Sequence, residues 1–256
     1  MKIKVLVLTG YGINAEKELA YAFEMAGGNV DIIHLEDIIS NKMILEKYQI
    51  LAFPGGFSFG DHIASGKVFA NIVKSNLLDE LINFINKDKL IIGICNGFQI
   101  ITKLGIVPDI DNNHTQVASL IENDSGHFEN RWIWLKIEKN NSPWLSNIDK
   151  LYLPVRHGEG KFVVKNSDVL DKLIKNNQIG LKYFNPNSNK VEYPYNPNGS
   201  IEDIAGVINK KGNILGLMPH PEAYIFKENH PRWTEYDINE DEMGLRIFLN
   251  GINYFK

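Results

Sequence analysis

The sequence predicts an α/β fold with a doubly wound, mostly parallel sheet and added antiparallel strands. Over the first hundred residues, short apolar runs that favour strands alternate with segments of helical periodicity. Glycine-rich turns follow two of the predicted strands, at residues 55–60 and 93–97. Because such sheets bind ligands beyond the carboxyl ends of their strands, we expect the functional site at these turns.

The first half of the chain contains the parallel part of the predicted sheet. Isoleucine-, valine- and leucine-rich runs predict its strands, and apolar residues three or four apart predict its helices. The expected order is strand 3–8, a helix from about 14 to the paired glycines 27–28, strand 30–35, a short helix, strand 50–53, helical segments near 64–74 and 77–86, strand 90–94 and helix 96–104.

After Gly105 the pattern changes to strands without helices between them, which predicts antiparallel additions. These strands are expected at 115–122, 131–138, 151–155 and 161–164, with a polar, turn-rich loop at 184–200. A strand pair follows at 204–208 and 214–218, and an amphipathic helix starts at about 241. No segment reads as a linker, so a single domain is expected over 1–256.

The composition excludes several classes of function. Hydrophobic residues make up 44% of the chain and charged residues 23%, as in ordinary globular proteins. The net charge of -4 gives no electrostatic reason to expect nucleic acid or an anionic membrane as a partner. The single cysteine cannot form an internal disulfide, and no apolar run is long enough to span a membrane. A cytoplasmic location is therefore expected.

Cys95 is the first candidate catalytic residue. It lies in Gly-Ile-Cys-Asn-Gly, at 93–97, where a buried strand is expected to turn sharply into a helix. This is the nucleophile elbow of serine hydrolases with sulfur in place of oxygen, and a helix N-terminus favours the reactive thiolate. The alternative reading is an inert cysteine in the core.

His220 and Glu222 complete the pattern. They follow strand 214–218 in Pro-His-Pro-Glu, and residues two apart in extended backbone point to the same side. The carboxylate then orients the imidazole, which acts as the base of a Cys95–His220–Glu222 triad. The alternative is a histidine that caps the strand and a solvated acid.

Backbone N–H groups near the nucleophile supply an expected oxyanion hole. Gly55 and Gly56 lie in Pro-Gly-Gly-Phe-Ser-Phe-Gly-Asp, at 54–61, and the N–H of Asn96 follows Cys95. Asp61, at the end of this segment, is expected to cap the next helix.

A dinucleotide site is a competing interpretation. Gly10 to Ala15 fits Gly-x-Gly-x-x-Ala between the first strand and its helix, with Glu36 and Asp37 about twenty residues on. An oxidoreductase of this kind would leave Cys95 and His220 unexplained, and we expect Asn14 to be the N-cap of the helix instead. No metal site is expected, because the seven histidines are dispersed.

Five motifs occur in the order known from one family. Together they resemble the glutamine amidotransferase subunit of phosphoribosylformylglycinamidine synthase, a class I (triad) amidotransferase of purine biosynthesis with a flavodoxin-like sheet. The resemblance spans nearly the whole chain. The motifs are Pro-Gly-Gly-Phe-Ser-Phe-Gly-Asp at 54–61, Gly-Ile-Cys-Asn-Gly-Phe-Gln at 93–99, Arg-His-Gly-Glu-Gly-Lys-Phe at 156–162, Asn-Pro-Asn-Gly-Ser at 196–200 and Gly-Leu-Met-Pro-His-Pro-Glu at 216–222.

The resemblance implies an enzyme that hydrolyses L-glutamine as part of an ATP-dependent carbon–nitrogen ligase. Cys95 would be the nucleophile, His220 the base and Glu222 its orienter, with Gly55, Gly56 and Asn96 as the oxyanion hole. Glutamine would be held by Gln99, Phe57 and His157. Ammonia would pass to a synthetase subunit, which uses ATP and magnesium to convert formylglycinamide ribonucleotide to the amidine. The chain itself would carry no cofactor, and a small bridging subunit remains open.

The topology of the predicted sheet suggests where the synthetase would dock, because strand ends and glycine-rich loops gather at one edge. Loops 10–14 and 57–61 and segment 185–200 are expected to form a docking rim around the site. Two departures from the family pattern bear on the interface: Ala15 in the first loop, and the segment that begins at Ala223-Tyr224 and runs through Trp233. Another class I amidotransferase and a cysteine peptidase relative remain alternatives.

Overall fold

The strands of the computed structural model, which describes residues 2–61, 63–235 and 237–256, form one large sheet and one small one. Most strands coincide with apolar runs and are buried on both faces, as in a covered sheet. The strands are β1 (Lys4–Thr9), β2 (Asn29–His34), β3 (Ile50–Phe53), β4 (Leu90–Ile94), β5 (Ala118–Glu122), β6 (Glu129–Ile137), β7 (Lys150–His157), β8 (Glu159–Val164), β9 (Ile179–Phe184), β10 (Ile204–Ile208) and β11 (Ile214–Leu217).

The large sheet has nine strands in the order β2-β1-β3-β4-β11-β10-β9-β6-β7. The pairings from β2 through β11 are parallel, and those from β11 through β7 are antiparallel. β5 and β8 pair separately as a two-stranded antiparallel sheet. The predicted doubly wound sheet with antiparallel additions is confirmed, and its antiparallel part contains as many strand pairings as its parallel part.

Helices cover both faces of the parallel part. The first helix packs with the last, and the third packs with the fourth. Because crossovers between parallel strands are right-handed, these two helix pairs lie on opposite faces. The helices are α1 (Glu16–Met25), α2 (Leu35–Ser40), α3 (Lys67–Asn86), α4 (Asn96–Lys103), α5 (Ser167–Lys175) and α6 (Leu245–Asn253).

Two helix predictions were wrong in their bounds, and one was wrong in its capping residue. The two helical segments predicted near 64–74 and 77–86 form one helix, α3, since the polar residues between them do not break it: the side chain of Asn76 donates to the carbonyl of Ile72. The closing helix begins at Leu245, after a separate 3-10 turn at Glu240–Glu242. Asn14 does not cap α1; Ala15 takes the N-cap position and makes no side-chain cap.

Two elements were absent from the sequence prediction. α5 and β9 lie between β8 and the 184–200 loop, and β9 joins β10 to β6 in the large sheet. α5 begins with a regular cap, in which the side chain of Asn166 accepts from the N–H of Val169. This cap was a sequence signal that could have located the helix.

Glycines let α4 pack closely against the strand ends. A Cβ on Gly97 would lie 1.9 Å from the carbonyl oxygen of Phe53, and one on Gly216 would lie 2.1 Å from the ring of Phe98. Contacts this short leave no space for a side chain at either position. The helix that follows Cys95 therefore lies directly on β3 and β11.

We predict that Gly97→Ala lowers the free energy of unfolding by about 1–3 kcal/mol, because the new methyl group forces the helix away from β3. Chemical denaturation of the variant and the wild type measures this change. Gly158→Ala is the control, since its Cβ would meet only a ring carbon of Phe128 at 3.9 Å. Equal stability of all three proteins would contradict the close packing of α4.

Candidate active site

The pairing of β4 with β11 places Cys95 at the carboxyl edge of the sheet. The two strands run parallel, and the N–H of Cys95 donates to the carbonyl of Leu217 at 2.9 Å. Cys95 has φ 52° and ψ −108°, a strained conformation for a residue with a side chain. It lies between the last residue of β4 and the first of α4, as a nucleophile elbow requires.

His220 follows β11 by three residues and therefore reaches the same edge. Its N–H donates to the carbonyl of Pro154 in β7 at 2.9 Å. The point where a Cβ of Gly55 would sit lies 2.9 Å from His220 Cε1 and 3.6 Å from the Cβ of Cys95. The structure thus places Cys95 and His220 beside the α-carbon of Gly55, and only glycine leaves room for the imidazole.

Glu222 orients the imidazole. Its Oε1 lies 2.5 Å from His220 Nδ1, and both side chains are buried. Since a carboxylate accepts, Nδ1 carries the proton. Nε2 has no hydrogen-bond partner among the described residues, which leaves it free on the opposite side of the ring.

The charges around His220 keep its imidazole protonated. Burial by itself lowers the pKa of His220, but the carboxylate of Glu222 and the nearby sulfur of Cys95 outweigh burial and raise the pKa to about 10. A protonated imidazole held between a carboxylate and a cysteine sulfur can give its proton to a leaving group.

The peptide between Gly55 and Gly56 has the orientation of an oxyanion donor. The carbonyl of Gly55 accepts from the N–H groups of Asn14 and Ala15 at 3.4 and 3.3 Å. Because the N–H and C=O of a peptide point to opposite sides, the Gly56 N–H points away from these residues. Gly56 lines the same cavity as Cys95. Asn96 begins α4, so its N–H has no acceptor within the helix.

A cavity of about 180 Å³ joins these groups. Cys95 and His220 are buried in it, while Phe57 is 46% exposed and Phe128 53% exposed, so the two phenylalanines lie at the outer end. The sequence analysis placed Phe57 there but missed several lining residues. The described residues that line the cavity are Asn14, Ala15, Glu18, Gly56, Phe57, Cys95, Phe128, Arg156 and His220.

Gln99 lies in the wall behind Cys95. Its Oε1 accepts from Asn96 at 2.9 Å, and its Nε2 donates to the carbonyl of Glu159 at 2.6 Å. Gln99 is buried and is not among the described residues that line the cavity. Its side chain connects the start of α4 to β8.

His157 is also in the wall, as a neutral imidazole. Burial, followed by the nearby His220, lowers the pKa of His157 to about 3. The side-chain amide of Asn123 donates to the carbonyls of His127 and His157, so its oxygen faces the ring and accepts from Nδ1 at 3.0 Å. This fixes the tautomer, and Nε2 is a buried acceptor without a partner in the described chain.

The motif at 196–200 is buried rather than part of a surface rim. Asn198 donates to the carbonyl of Gly160 at 2.9 Å and to the hydroxyl of Tyr183 at 2.8 Å. Ser200 accepts from the N–H of Phe162 at 2.9 Å. These contacts hold β8 beside β9, so the expectation that all of 185–200 forms a docking surface was wrong for 196–200.

The loop Gly10–Ala15 does not form a dinucleotide site. Its N–H groups at 13, 14 and 15 are all used within the protein, and the N–H of Phe57 returns to the carbonyl of Gly12 at 3.0 Å. The first turn of α1 carries Glu16 and Glu18, which would repel a pyrophosphate. The loop instead holds segment 55–59 in place.

Three further expectations concern helix capping, membranes and metals. The expectation that Asp61 caps the next helix was wrong: Gly66 takes the N-cap position of α3 and makes no side-chain cap, while Asp61 accepts from the side-chain amide of Asn96 at 3.4 Å. Within the described ranges, no helix combines the length and apolar character that a membrane span needs. Across the described residues, no group of three or more His, Cys, Asp or Glu is arranged to hold a metal ion.

Comparison with known proteins shows the family of the chain. A family model for the CobB/CobQ-like glutamine amidotransferase domain matches residues 2–255. Phosphoribosylformylglycinamidine synthase subunit PurQ of Methanococcus maripaludis strain C7 is 41% identical over 269 residues, covering 98% of this chain and 97% of its own. The same subunit of Dehalococcoides mccartyi strain 195 is 39% identical over 254 residues, covering 99% and 98%.

A solved structure extends the agreement to the fold. A chain in the structure of PurLQS from Thermotoga maritima superposes with a TM-score of 0.77 and 30% identity, and each chain covers 100% of the other. Relatives at this identity, matched over their full length, share both sequence and fold. The chain belongs to the CobB/CobQ-like glutamine amidotransferase family and, within it, to the PurQ subunits of phosphoribosylformylglycinamidine synthase.

Proposed function

We propose that the chain is the glutaminase subunit of a phosphoribosylformylglycinamidine synthase and uses Cys95, His220 and Glu222 as its triad. The substrate is L-glutamine, and the products are glutamate and ammonia. The observation that carries the residue assignment is the meeting of Cys95, His220 and Gly55 at one sheet edge, with Glu222 bound to His220.

The reaction starts with attack of the Cys95 thiolate on the side-chain amide carbon of glutamine. The N–H groups of Gly56 and Asn96 stabilise the oxyanion, and Gly55 provides the close approach. His220 gives its proton to the departing ammonia and then takes a proton from the water that hydrolyses the thioester. Glu222 keeps the imidazole oriented throughout.

The resemblance also assigns glutamine-binding roles to residues around the triad. Phe57 contacts the substrate at the outer end of the cavity. Gln99 and His157 are assigned to glutamine binding by the resemblance; from the wall of the cavity, Gln99 joins α4 to Glu159 of β8, and Asn123 holds the backbone of His157. A single amidotransferase domain accounts for residues 1–256.

The partner chemistry follows from the family. The ammonia passes to a synthetase subunit that uses ATP and magnesium to convert formylglycinamide ribonucleotide to formylglycinamidine ribonucleotide, as part of purine biosynthesis in the cytoplasm. A small third subunit, as named in PurLQS, belongs to the same assembly. The chain needs no cofactor of its own for amide hydrolysis.

We predict weak hydrolysis of glutamine by the purified chain and strong stimulation by its synthetase with nucleotide and substrate bound. The partner binds the active arrangement more tightly and so shifts the population toward it. Steady-state ammonia release, measured with and without the synthetase, tests the proposed function. Full turnover in isolation, unchanged by the synthetase, would indicate an independent amidase.

We predict that His220→Ala lowers turnover by about 10²–10⁴-fold, the usual contribution of a general acid–base group. Glu222→Gln should cost less, because the base remains and only its orientation and charge partner change. Glutamine hydrolysis in the reconstituted complex measures both effects. If His157→Ala abolishes turnover while His220→Ala preserves it, the base is misassigned.

We predict that His220 makes the protein less stable as the pH rises from about 6.5 to 10. The folded protein holds the His220 proton up to a pKa of about 10, above its ordinary value of 6.5, so this stabilisation is full below 6.5 and is lost as the pH rises through 10. Denaturation of the wild type and His220→Gln across this range measures the difference.

The variant should show a smaller decline over the window than the wild type. The exposed His127 provides the control, and His127→Gln should keep the wild-type slope. Identical slopes for the wild type and His220→Gln would show that His220 is not held protonated.

A further inference from the structure

The mouth of the active-site cavity carries one acidic and one basic side chain, Glu18 and Arg156. Both line the cavity that contains Cys95 and His220. Arg156 Nη2 lies 3.3 Å from Glu18 Oε2, and the side chains are 36% and 52% exposed. Because Cys95 is only 6% exposed, the nucleophile lies at the inner end and this mouth pair at the outer end.

The order of groups along the cavity matches the order of groups along an α-amino acid with a side-chain amide. Such a molecule has a neutral amide at one end and a carboxylate and an ammonium group at the other. With the amide carbon at Cys95, the α-carbon extends toward the mouth. A cation and an anion at that position complement the two charges of the substrate.

We propose that Arg156 binds the α-carboxylate of L-glutamine and Glu18 binds its α-ammonium group, which makes the mouth pair the determinant of specificity for a free amino acid. The inference rests on the proposed function, since it assumes that the amide is attacked by Cys95. In the absence of substrate the two side chains pair with each other, and the substrate inserts its own charges between them.

The geometry of the mouth pair suits this exchange. The contact is long and solvent-exposed, and ion pairs of this kind contribute little stability. A guanidinium group binds a carboxylate through two parallel hydrogen bonds, which is the stronger arrangement. Arg156 Nε is buried and has no partner among the described residues, so a donor is left for the incoming ligand.

Another arginine, Arg246, has a similar exposure and ion pair, although its Nη2 also donates to the carbonyl of Asn147 at 3.3 Å. Arg246 is 35% exposed, lies 3.3 Å from Asp241 and also has a buried Nε without a partner in the described chain. It is not among the described residues that line the cavity. Position therefore distinguishes Arg156, and Arg246→Leu is a matched control for Arg156→Leu.

Alkylation of Cys95 tests the inference directly. It is the only cysteine of the chain, so a single mass increase reports its reaction. The diazo-ketone analogue of L-glutamine carries both α-groups, whereas iodoacetamide carries neither. The labelling rates of both reagents are measured by mass spectrometry on the wild type, Arg156→Leu and Arg246→Leu.

We expect Arg156→Leu to slow labelling by the diazo-ketone about 10- to 100-fold, the worth of a charge-assisted hydrogen bond. Its reaction with iodoacetamide and both reactions of Arg246→Leu should keep the wild-type rates. An equal loss with both reagents would show a structural role for Arg156. An unchanged diazo-ketone rate would overturn the inference as well.

Hydrolysis assays on the complex with the synthetase test the roles of Arg156 and Glu18 separately. Arg156→Leu should slow the hydrolysis of glutamine but not that of γ-aminobutyramide, which lacks the carboxylate. Glu18→Gln should slow the hydrolysis of glutamine but not that of glutaramate, which lacks the ammonium group. The loss should appear mainly in KM. Equal losses on all substrates would overturn the inference. If the wild type neither hydrolyses glutamine nor is labelled at Cys95, the proposed function itself fails.

Discussion

The parallel pairing of β4 with β11 is the constraint on which the site depends. The two strands are separated by more than a hundred residues of sequence, yet the N–H of Cys95 binds the carbonyl of Leu217. This bond aligns the carboxyl ends of both strands, so the elbow after β4 and the Pro-His-Pro-Glu turn after β11 emerge side by side. A parallel pair requires a long crossover, and the antiparallel half of the sheet occupies most of that connection. The added strands therefore belong to the connection that places β11, and with it His220, beside β4 and Cys95.

Two glycines and the hydrogen bonds between two loops preorganise the site at this edge of the sheet. Gly55 leaves space for the imidazole, and Gly97 lets α4 approach β3 until its first N–H lies beside the nucleophile. The amides of Asn14 and Ala15 bind the Gly55 carbonyl and so turn the next N–H toward the cavity. Donors that are already oriented stabilise a developing charge without a reorganisation cost. The loop that resembles a dinucleotide motif thus orients the N–H of Gly56, which we propose as an oxyanion donor.

Buried amide side chains hold the wall of the cavity. Asn123 binds His157 and the backbone around it, and Asn198 binds Gly160 and Tyr183. Each such group would destabilise the protein if it were buried without partners, and with partners it permits one arrangement of β7, β8 and β9. Motifs that identify the family by sequence therefore include residues whose contacts are internal to the fold. The charged residues with access to the substrate, Glu18 and Arg156, lie instead at the mouth of the cavity.

The sequence by itself predicted the α/β class and the strands that bear the site, and it singled out Cys95, His220 and Glu222 as the triad that we propose. These features are local: an apolar run, glycines two residues on either side of a cysteine, and a histidine two residues from an acid leave a signal in consecutive residues. Only the tertiary structure decided that Asn14 binds the Gly55 carbonyl rather than caps α1, that 196–200 is buried, and that Glu18 on α1 meets Arg156 on β7. Each of these contacts joins residues from different elements, and their partners are chosen by strand order and packing, which no local pattern records.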